Sequence, residues 1–200
     1  MCHKVLEKLR RHFYIKFWTV FVRYVLLDTS KSLGYLKPAR GRMEVLSNTK
    51  NNALVIIDYA HTPAALKSAL KSIQEIIGRE RIITLFGCGG DRDKNKRKIM
   101  GEIAYEYSDI VIVTDDNPRN EIPSNIRSEI LSGCPTATEI PNRDKAIKYA
   151  VSLLKKNDLL LIAGKGHETF QAVGIETLPF DDYTVAKEAI KNIEKSGIIN

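Results

Sequence analysis

Four apolar runs limit what this chain can fold into: ALVIID (53–58), RIITLFG (81–87), DIVIVT (109–114) and DLLLIAG (158–164). Each is β-branched or leucine-rich, and none alternates with polar residues. A strand with one wet face shows that alternation; a strand covered on both faces does not. Between the runs, apolar residues recur at helical spacing. Thr62 is placed to cap a helix beginning at Pro63, with Leu66, Ala69, Leu70, Ile73, Ile76 and Ile77 as its stripe and Gly78 after it. Ile99, Met100, Ile103, Ala104 and Tyr107 form a second stripe, and Ile122, Ile126, Ile130 and Leu131 a third. Ala146, Ile147, Ala150, Val151 and Leu154, entered through Asn142, form a fourth; Val185, Ala186, Ala189, Ile190 and Ile193 form a last one. Strand and helix in alternation predict an α/β fold, doubly wound and Rossmann-like, with a mostly parallel sheet and helices on both faces.

Weaker signals fill the gaps. TATEI (136–140) reads as a minor strand, and 168–180 is expected to hold a short final one. Residues 53–200 then form one domain. Residues 32–52 read as a lead-in linker with an edge strand, and 1–31 as a separate basic and apolar segment. Within that segment HFYIKFWTVFVRYVLL (12–27) is interrupted by Lys16 and Arg23. It falls short of the roughly 20 mostly apolar residues of a membrane span, and it lacks a small-residue cleavage site. A membrane partner is therefore not expected.

The formal charge of +7 invites a nucleic-acid reading, so its location matters. Residues 1–50 carry 11 Lys+Arg against 3 Asp+Glu, leaving 20 against 21 for residues 51–200. The body is near neutral, no broad cationic face is predicted, and no nucleic-acid partner is expected. Cys2, Cys88 and Cys134 are odd in number and form no CxxC, which argues against a zinc site or a disulfide framework and suits a reducing cytoplasm.

In such folds ligands bind beyond the carboxyl ends of the strands. The first run leads into Asp58-Tyr59-Ala60-His61-Thr62-Pro63, the second into Gly87-Cys88-Gly89-Gly90-Asp91-Arg92-Asp93-Lys94. The third leads into Asp115-Asp116-Asn117-Pro118-Arg119, the fourth into Gly164-Lys165-Gly166-His167-Glu168. One charged turn is commonplace; four on one rim suggest a site. Turn chemistry alone accounts for Asn117, Pro118 and Thr62, and Asp58 serves equally well as a turn residue. It leaves Asp116 and Arg119 unexplained. Two adjacent acids need a cation opposite them, and Arg119 either supplies it or waits for a ligand carboxylate. A zwitterionic small molecule fits both options. No GxxxxGK[ST] phosphate loop occurs in the chain.

GRME (41–44), DYAHTP (58–63), GGDRDKNKR (89–97), TDDNPRNE (114–121) and AGKGHE (163–168), in this order, resemble the C-terminal domain of the Mur ligase family. The branch they resemble adds meso-diaminopimelate to UDP-N-acetylmuramoyl-L-alanyl-D-glutamate (UDP-MurNAc-dipeptide) in peptidoglycan synthesis. The resemblance covers about residues 32–200. It implies diaminopimelate recognition by Arg92, Asp116, Asn117, Pro118, Arg119, Gly164 and Glu168. It implies that Arg42 reaches ATP phosphates while Asp58 and His61 lie near the ribose and base. ATP and Mg2+ are the implied cofactors, with metal ligands and phosphate loop expected from a central domain not matched here. A truncated or split ligase, inactive alone and partnered by a separate ATPase half, is the expectation; a non-catalytic diaminopimelate-binding remnant is the alternative. A phospho-acceptor receiver domain is disfavoured because the acid pair follows the third run rather than the first.

Overall fold

The computed structural model describes residues 39–48, 52–77 and 81–196. The proposed segment 1–31, Cys2 and Gly78 lie outside them. In chain order the elements are β1 (Glu44–Asn48), β2 (Leu54–Asp58), α1 (Pro63–Ile77), β3 (Ile82–Phe86), α2 (Asn95–Tyr107) and β4 (Ile110–Val113). Then come α3 (Pro123–Leu131), β5 (Thr138–Glu139), α4 (Arg143–Ser152), β6 (Leu159–Ala163), β7 (Phe170–Val173), β8 (Glu176–Pro179) and α5 (Asp182–Ser196).

The main sheet runs β1-β2-β6-β3-β4-β5. All neighbours are parallel except β1, which pairs antiparallel with β2 as the expected edge strand. Every residue of β2, β3 and β6 is buried, as the unbroken apolar runs require. The handedness of crossovers then assigns the helices. The chain steps outward from β2 to β3, β4 and β5, so α1, α2 and α3 cover one face; it returns from β5 to β6, so α4 covers the other. The two cores agree. Leu66, Leu70, Ile73, Met100, Ile126 and Ile130 pack with Ile56, Phe86, Val113 and Leu161 on one side. Ala146, Ile147, Ala150, Ala186 and Ile190 pack with Ile57, Leu85, Ile112 and Ile162 on the other. Each fully buried aliphatic side chain is worth about 1.5–3 kcal/mol relative to exposure.

Local signals act where the sequence places them. Thr62 Oγ1 accepts from Ala65 N (3.3 Å), and Asn142 Oδ1 accepts from Lys145 N (2.9 Å), so each satisfies a first-turn N–H. Three expectations need correction. Ile122 is 63% exposed because it is the extended N-cap residue before Pro123, not part of the α3 stripe. Ile99 is 45% exposed, since α2 turns Met100, Ile103 and Ala104 inward instead. The single final strand in 168–180 is in fact a hairpin, β7–β8, forming its own two-stranded antiparallel sheet. Its flanks are largely exposed, and Gly174 supplies the left-handed φ (+58°) of its turn.

Candidate functional site

Parallel pairing of β2, β6, β3 and β4 brings their carboxyl ends to one rim. The loop after β4 is the centre of the site. Its two acids face different cations, and neither is Arg119. Asp115 is held by Arg127 of α3, which also bonds Glu139 (2.6 Å). Burial above all raises the Asp115 carboxyl above its ordinary value, against the lowering by the Arg127 guanidinium. Asp116 Oδ1 lies 3.2 Å from Lys165 Nζ, out of line for a hydrogen bond, and is buried with no hydrogen-bond partner among the described residues. That oxygen keeps an unmet acceptor, which a ligand donor can satisfy.

Lys165 is completely buried. Its Nζ donates to Asn117 Oδ1 (2.7 Å) and to Phe170 O (2.7 Å), with Glu168 Oε2 at 3.7 Å. Asn117 Nδ2 donates to Glu168 Oε2 (3.0 Å), and Asn117 Oδ1 also accepts from Ala172 N (3.0 Å). Gln171 Nε2 donates to Asp116 O. The hairpin is thus tied to the loop after β4 by polar contacts rather than by a core.

Arg119 sits in the left-handed region (φ +50°). Its backbone is bracketed by the hairpin: its N donates to Ala172 O (3.1 Å), and its carbonyl accepts from Gly174 N (2.7 Å). Its Nη1 donates to Gly90 O (2.8 Å) and reaches Asn117 O at 3.5 Å. Among the described residues Nε and Nη2 have no acceptor, so two guanidinium donors remain for a ligand. Arg92 is exposed, with Nη1 on Asp91 O (3.0 Å). Gly90 N donates to Asn117 O (2.8 Å), and a Cβ on Gly90 would lie 1.9 Å from Pro118 O, so this crossing of loops needs glycine. Arg97, fully buried in α2, fastens the same two loops. It bonds Glu121 (2.8 and 3.0 Å) and Glu129 (2.9 Å), with Gly89 O at 3.3 Å. Glu121 also accepts from Asp91 N (2.7 Å), and the Arg97 guanidinium lowers its carboxyl to about 2.

A second group gathers at the end of β2 around Tyr59. Arg42 lies over its ring (4.6 Å), and His61 and His167 approach it at 4.5 and 5.2 Å. His61 Nδ1 lies 2.9 Å from Tyr59 O; a carbonyl only accepts, so Nδ1 carries the proton. Asp58 accepts from Met43 N and Ala60 N (both 2.8 Å). Burial raises its carboxyl above the ordinary value despite these bonds. Its visible work is to hold the turn that carries Arg42. The two groups meet where Gly41 (φ +68°) packs on Gly166; a Cβ on Gly41 would come within 2.2 Å of the Gly166 carbonyl carbon. Gly164 N donates to Asp58 O (3.1 Å) across the same junction.

Of the residues singled out in sequence, Asn117, Glu168 and Gly164 converge with Asp116, and Arg119 lies at the edge of that group through Gly90. Arg92 stands apart on an exposed loop, and Arg42, Asp58 and His61 form the Tyr59 group. Sequence reasoning quoted Tyr59, Arg97 and Lys165 within motifs without making them site residues, and passed over Arg127, Arg143 and Gln171 altogether. Arg143 is fully buried, bonded through Nε and Nη2 to Asp182 (2.7 and 2.8 Å) and through Nη2 to Ala163 O (3.0 Å). Among the described residues no group of three or more His, Cys, Asp or Glu is disposed to hold a metal ion. Among them, too, no helix is long and apolar enough to cross a membrane.

Known proteins resemble this chain in sequence and fold. The chain fits the family described as Mur ligase, glutamate ligase domain, over residues 41–166. A UDP-N-acetylmuramoyl-L-alanyl-D-glutamate–2,6-diaminopimelate ligase of Agrobacterium fabrum is 52% identical over 168 residues, 84% of this chain and 34% of the relative. The ligase of the same name from Rickettsia rickettsii is 48% identical over 174 residues, 86% of this chain and 36% of the relative. A solved structure of a ligase of that name superposes with a TM-score of 0.71 at 36% identity, over 81% of this chain and 34% of that one. The chain therefore spans about a third of the length of the curated relatives it matches. With four polar strand ends on one rim and the family matched across most of the described residues, the chain belongs to the Mur ligase family, through its glutamate ligase domain.

Proposed function

We propose that this chain is the amino-acid-binding domain of an ATP-dependent amide ligase that joins meso-diaminopimelate to UDP-N-acetylmuramoyl-L-alanyl-D-glutamate. The observation that carries the reading is the charge layout after β4 and β6. Acid acceptors at Asp116 and Glu168 share the strand-end rim with unspent donors on Arg119, which lies at the edge of their group through Gly90. An amino acid with a second carboxylate and a second ammonium complements both. The names of relatives 48–52% identical point the same way.

On this reading Arg119 and Arg92 take carboxylates of diaminopimelate, and Asn117 takes a third polar contact. Asp116 and Glu168 take the ammonium groups, while Pro118 and Gly164 shape the backbone around them. Lysine lacks the side-chain carboxylate and would leave a guanidinium unpaired, at a cost of about 1–3 kcal/mol. The Tyr59 group takes the nucleotide: Arg42 lies toward the phosphates, His61 toward the base, and Asp58 holds their turn. ATP supplies the phosphoryl group that activates the glutamyl carboxylate, and the domain presents the amine that displaces phosphate. The described residues offer no magnesium cluster, so no step is assigned to that ion. A cytoplasmic setting and a partner supplying the phosphate loop complete the proposal.

Calorimetry of the chain with meso-diaminopimelate and with lysine tests it. Heat with the first and none with the second is expected. Equal binding of the two sinks the assignment of Arg119. Phosphate release on adding a phosphate-loop half, ATP and UDP-MurNAc-dipeptide tests whether the domain still serves a reaction.

A further inference from the structure

The least expected group on the rim is Lys165. A lysine with no exposed surface is rare, and its burial has to be compensated by several acceptors. It lies among the residues assigned above to the ligand, yet nothing in that assignment uses it. Its contacts explain a different property, the orientation of the Asn117 amide. Asn117 Oδ1 accepts from Lys165 Nζ (2.7 Å) and from Ala172 N (3.0 Å), which fills both lone pairs. Asn117 Nδ2 faces the Glu168 carboxylate (3.0 Å). Turning the amide over would set an NH2 against an ammonium and a backbone N–H, and an oxygen against a carboxylate. Only one orientation satisfies all three neighbours.

We infer that Lys165 is the positioning residue of the amino-acid site: its buried ammonium locks Asn117 with Nδ2 toward Glu168, so Asn117 can meet a ligand only as a donor. The inference rests on the diaminopimelate reading and deepens it. Nδ2 has two hydrogens, and Glu168 takes one. The other suits a carboxylate and opposes an ammonium. Lys165 also binds Phe170 O (2.7 Å), the first residue of β7, so the same ammonium seats the hairpin whose Ala172 N completes the lock. The orientation of one amide therefore depends on the hairpin being docked, and Lys165 makes both contacts at once.

The test combines one readout that needs no ligand with one that does. In the unliganded chain the Asn117 side-chain NH2 should show one proton protected from exchange. Lys165→Met should raise its exchange rate at least tenfold, while the backbone amides of β3 and β6 stay protected. In binding, Lys165→Met should weaken meso-diaminopimelate at least tenfold. Asn117→Ala made in that background should then cost less than threefold more, because Lys165 acts through Asn117. A residue with a purely architectural role would give losses that multiply. Lys165→Gln, which keeps one donor without the charge, should fall between the two and serves if Lys165→Met does not fold. Unprotected Asn117 side-chain protons in the unaltered chain overturn the inference even if no variant folds. So does binding by Lys165→Met within threefold of the unaltered chain. Failure of the unaltered chain to bind meso-diaminopimelate instead removes the functional reading, while the exchange result still decides whether Lys165 sets the amide.

Discussion

Replacing Arg143 by methionine should be among the most damaging single changes in the chain, although Arg143 touches no proposed ligand. Its guanidinium and the Asp182 carboxylate are both fully buried and bonded twice, at 2.7 and 2.8 Å. Methionine fills much of the volume but leaves the carboxylate without its cation, and it removes the donor to Ala163 O (3.0 Å). Breaking a buried pair from one side costs about 3–5 kcal/mol. Asp182 stands in the first turn of α5, where the helix terminus favours negative charge by up to about 1 kcal/mol. A loss near 3 kcal/mol is therefore expected. At a urea slope of about 2 kcal/mol/M, the unfolding midpoint should drop by roughly 1.5 M. Pairing Arg143→Met with Asp182→Leu removes both charges and should restore most of that loss, because apolar replacement of a whole buried pair is often neutral. Urea unfolding followed by circular dichroism measures all three forms. A single variant costing under about 1 kcal/mol, or a double variant as weak as the single one, would refute the reasoning.

Three other outcomes follow from the site. Arg119→Ala and Arg119→Gly should both abolish selective diaminopimelate binding, but the glycine form should be the more stable by about 1 kcal/mol, since φ is +50° there; equal stabilities by thermal melting would contradict this. For Glu121, the folded carboxyl is lowered from 4.5 to about 2, chiefly by Arg97. Its stabilisation is thus complete above the unfolded value and fades as pH falls from about 4.5 toward 2. Glu121→Gln should be less stable than the unaltered chain at pH 7, and the gap should close across that window; a gap independent of pH would count against the Arg97 pairing. Burial pushes the Cys88 thiol up to about 12, so iodoacetamide at pH 8 should label it only under unfolding conditions, as mass spectrometry would report.

The sheet was legible because strands buried on both faces need apolar residues at every position, and β2, β3 and β6 have them. The rim was legible because polar residues crowd the ends of those strands. What resisted reading were the cations inside. Arg97 lies in KNKRK, Arg127 in NIRSE and Arg143 in NRDK, all of which read as wet helix surface. Their burial is decided by partners 24–39 residues away, Glu121, Asp182 and, for Arg127, the nearer Asp115 and Glu139. One signal was available for the hairpin. Gly174 and Ile175 separate FQAV from ETLP by two residues, the spacing of a tight β-turn. The Asp115–Asp116 pair was rightly seen to need cations, but no local rule could choose Arg127 and Lys165 over the adjacent Arg119.

The strand order has a consequence for synthesis. β6 lies between β2 and β3, yet it is made last of the main-sheet strands. Until residue 163 has been made, β2 and β3 have no shared neighbour. Leu54 and Leu159, partners in register, are separated by more than a hundred positions in the chain. Closing so long a loop is slow, and β2 and β3 offer open edges meanwhile. A nascent chain therefore holds its sheet in two halves, and both become one only when the strand carrying Gly164 and Lys165 at its end slides in between. The step that completes the sheet is the same step that brings Lys165 to the rim, ready for the hairpin that follows it in the chain.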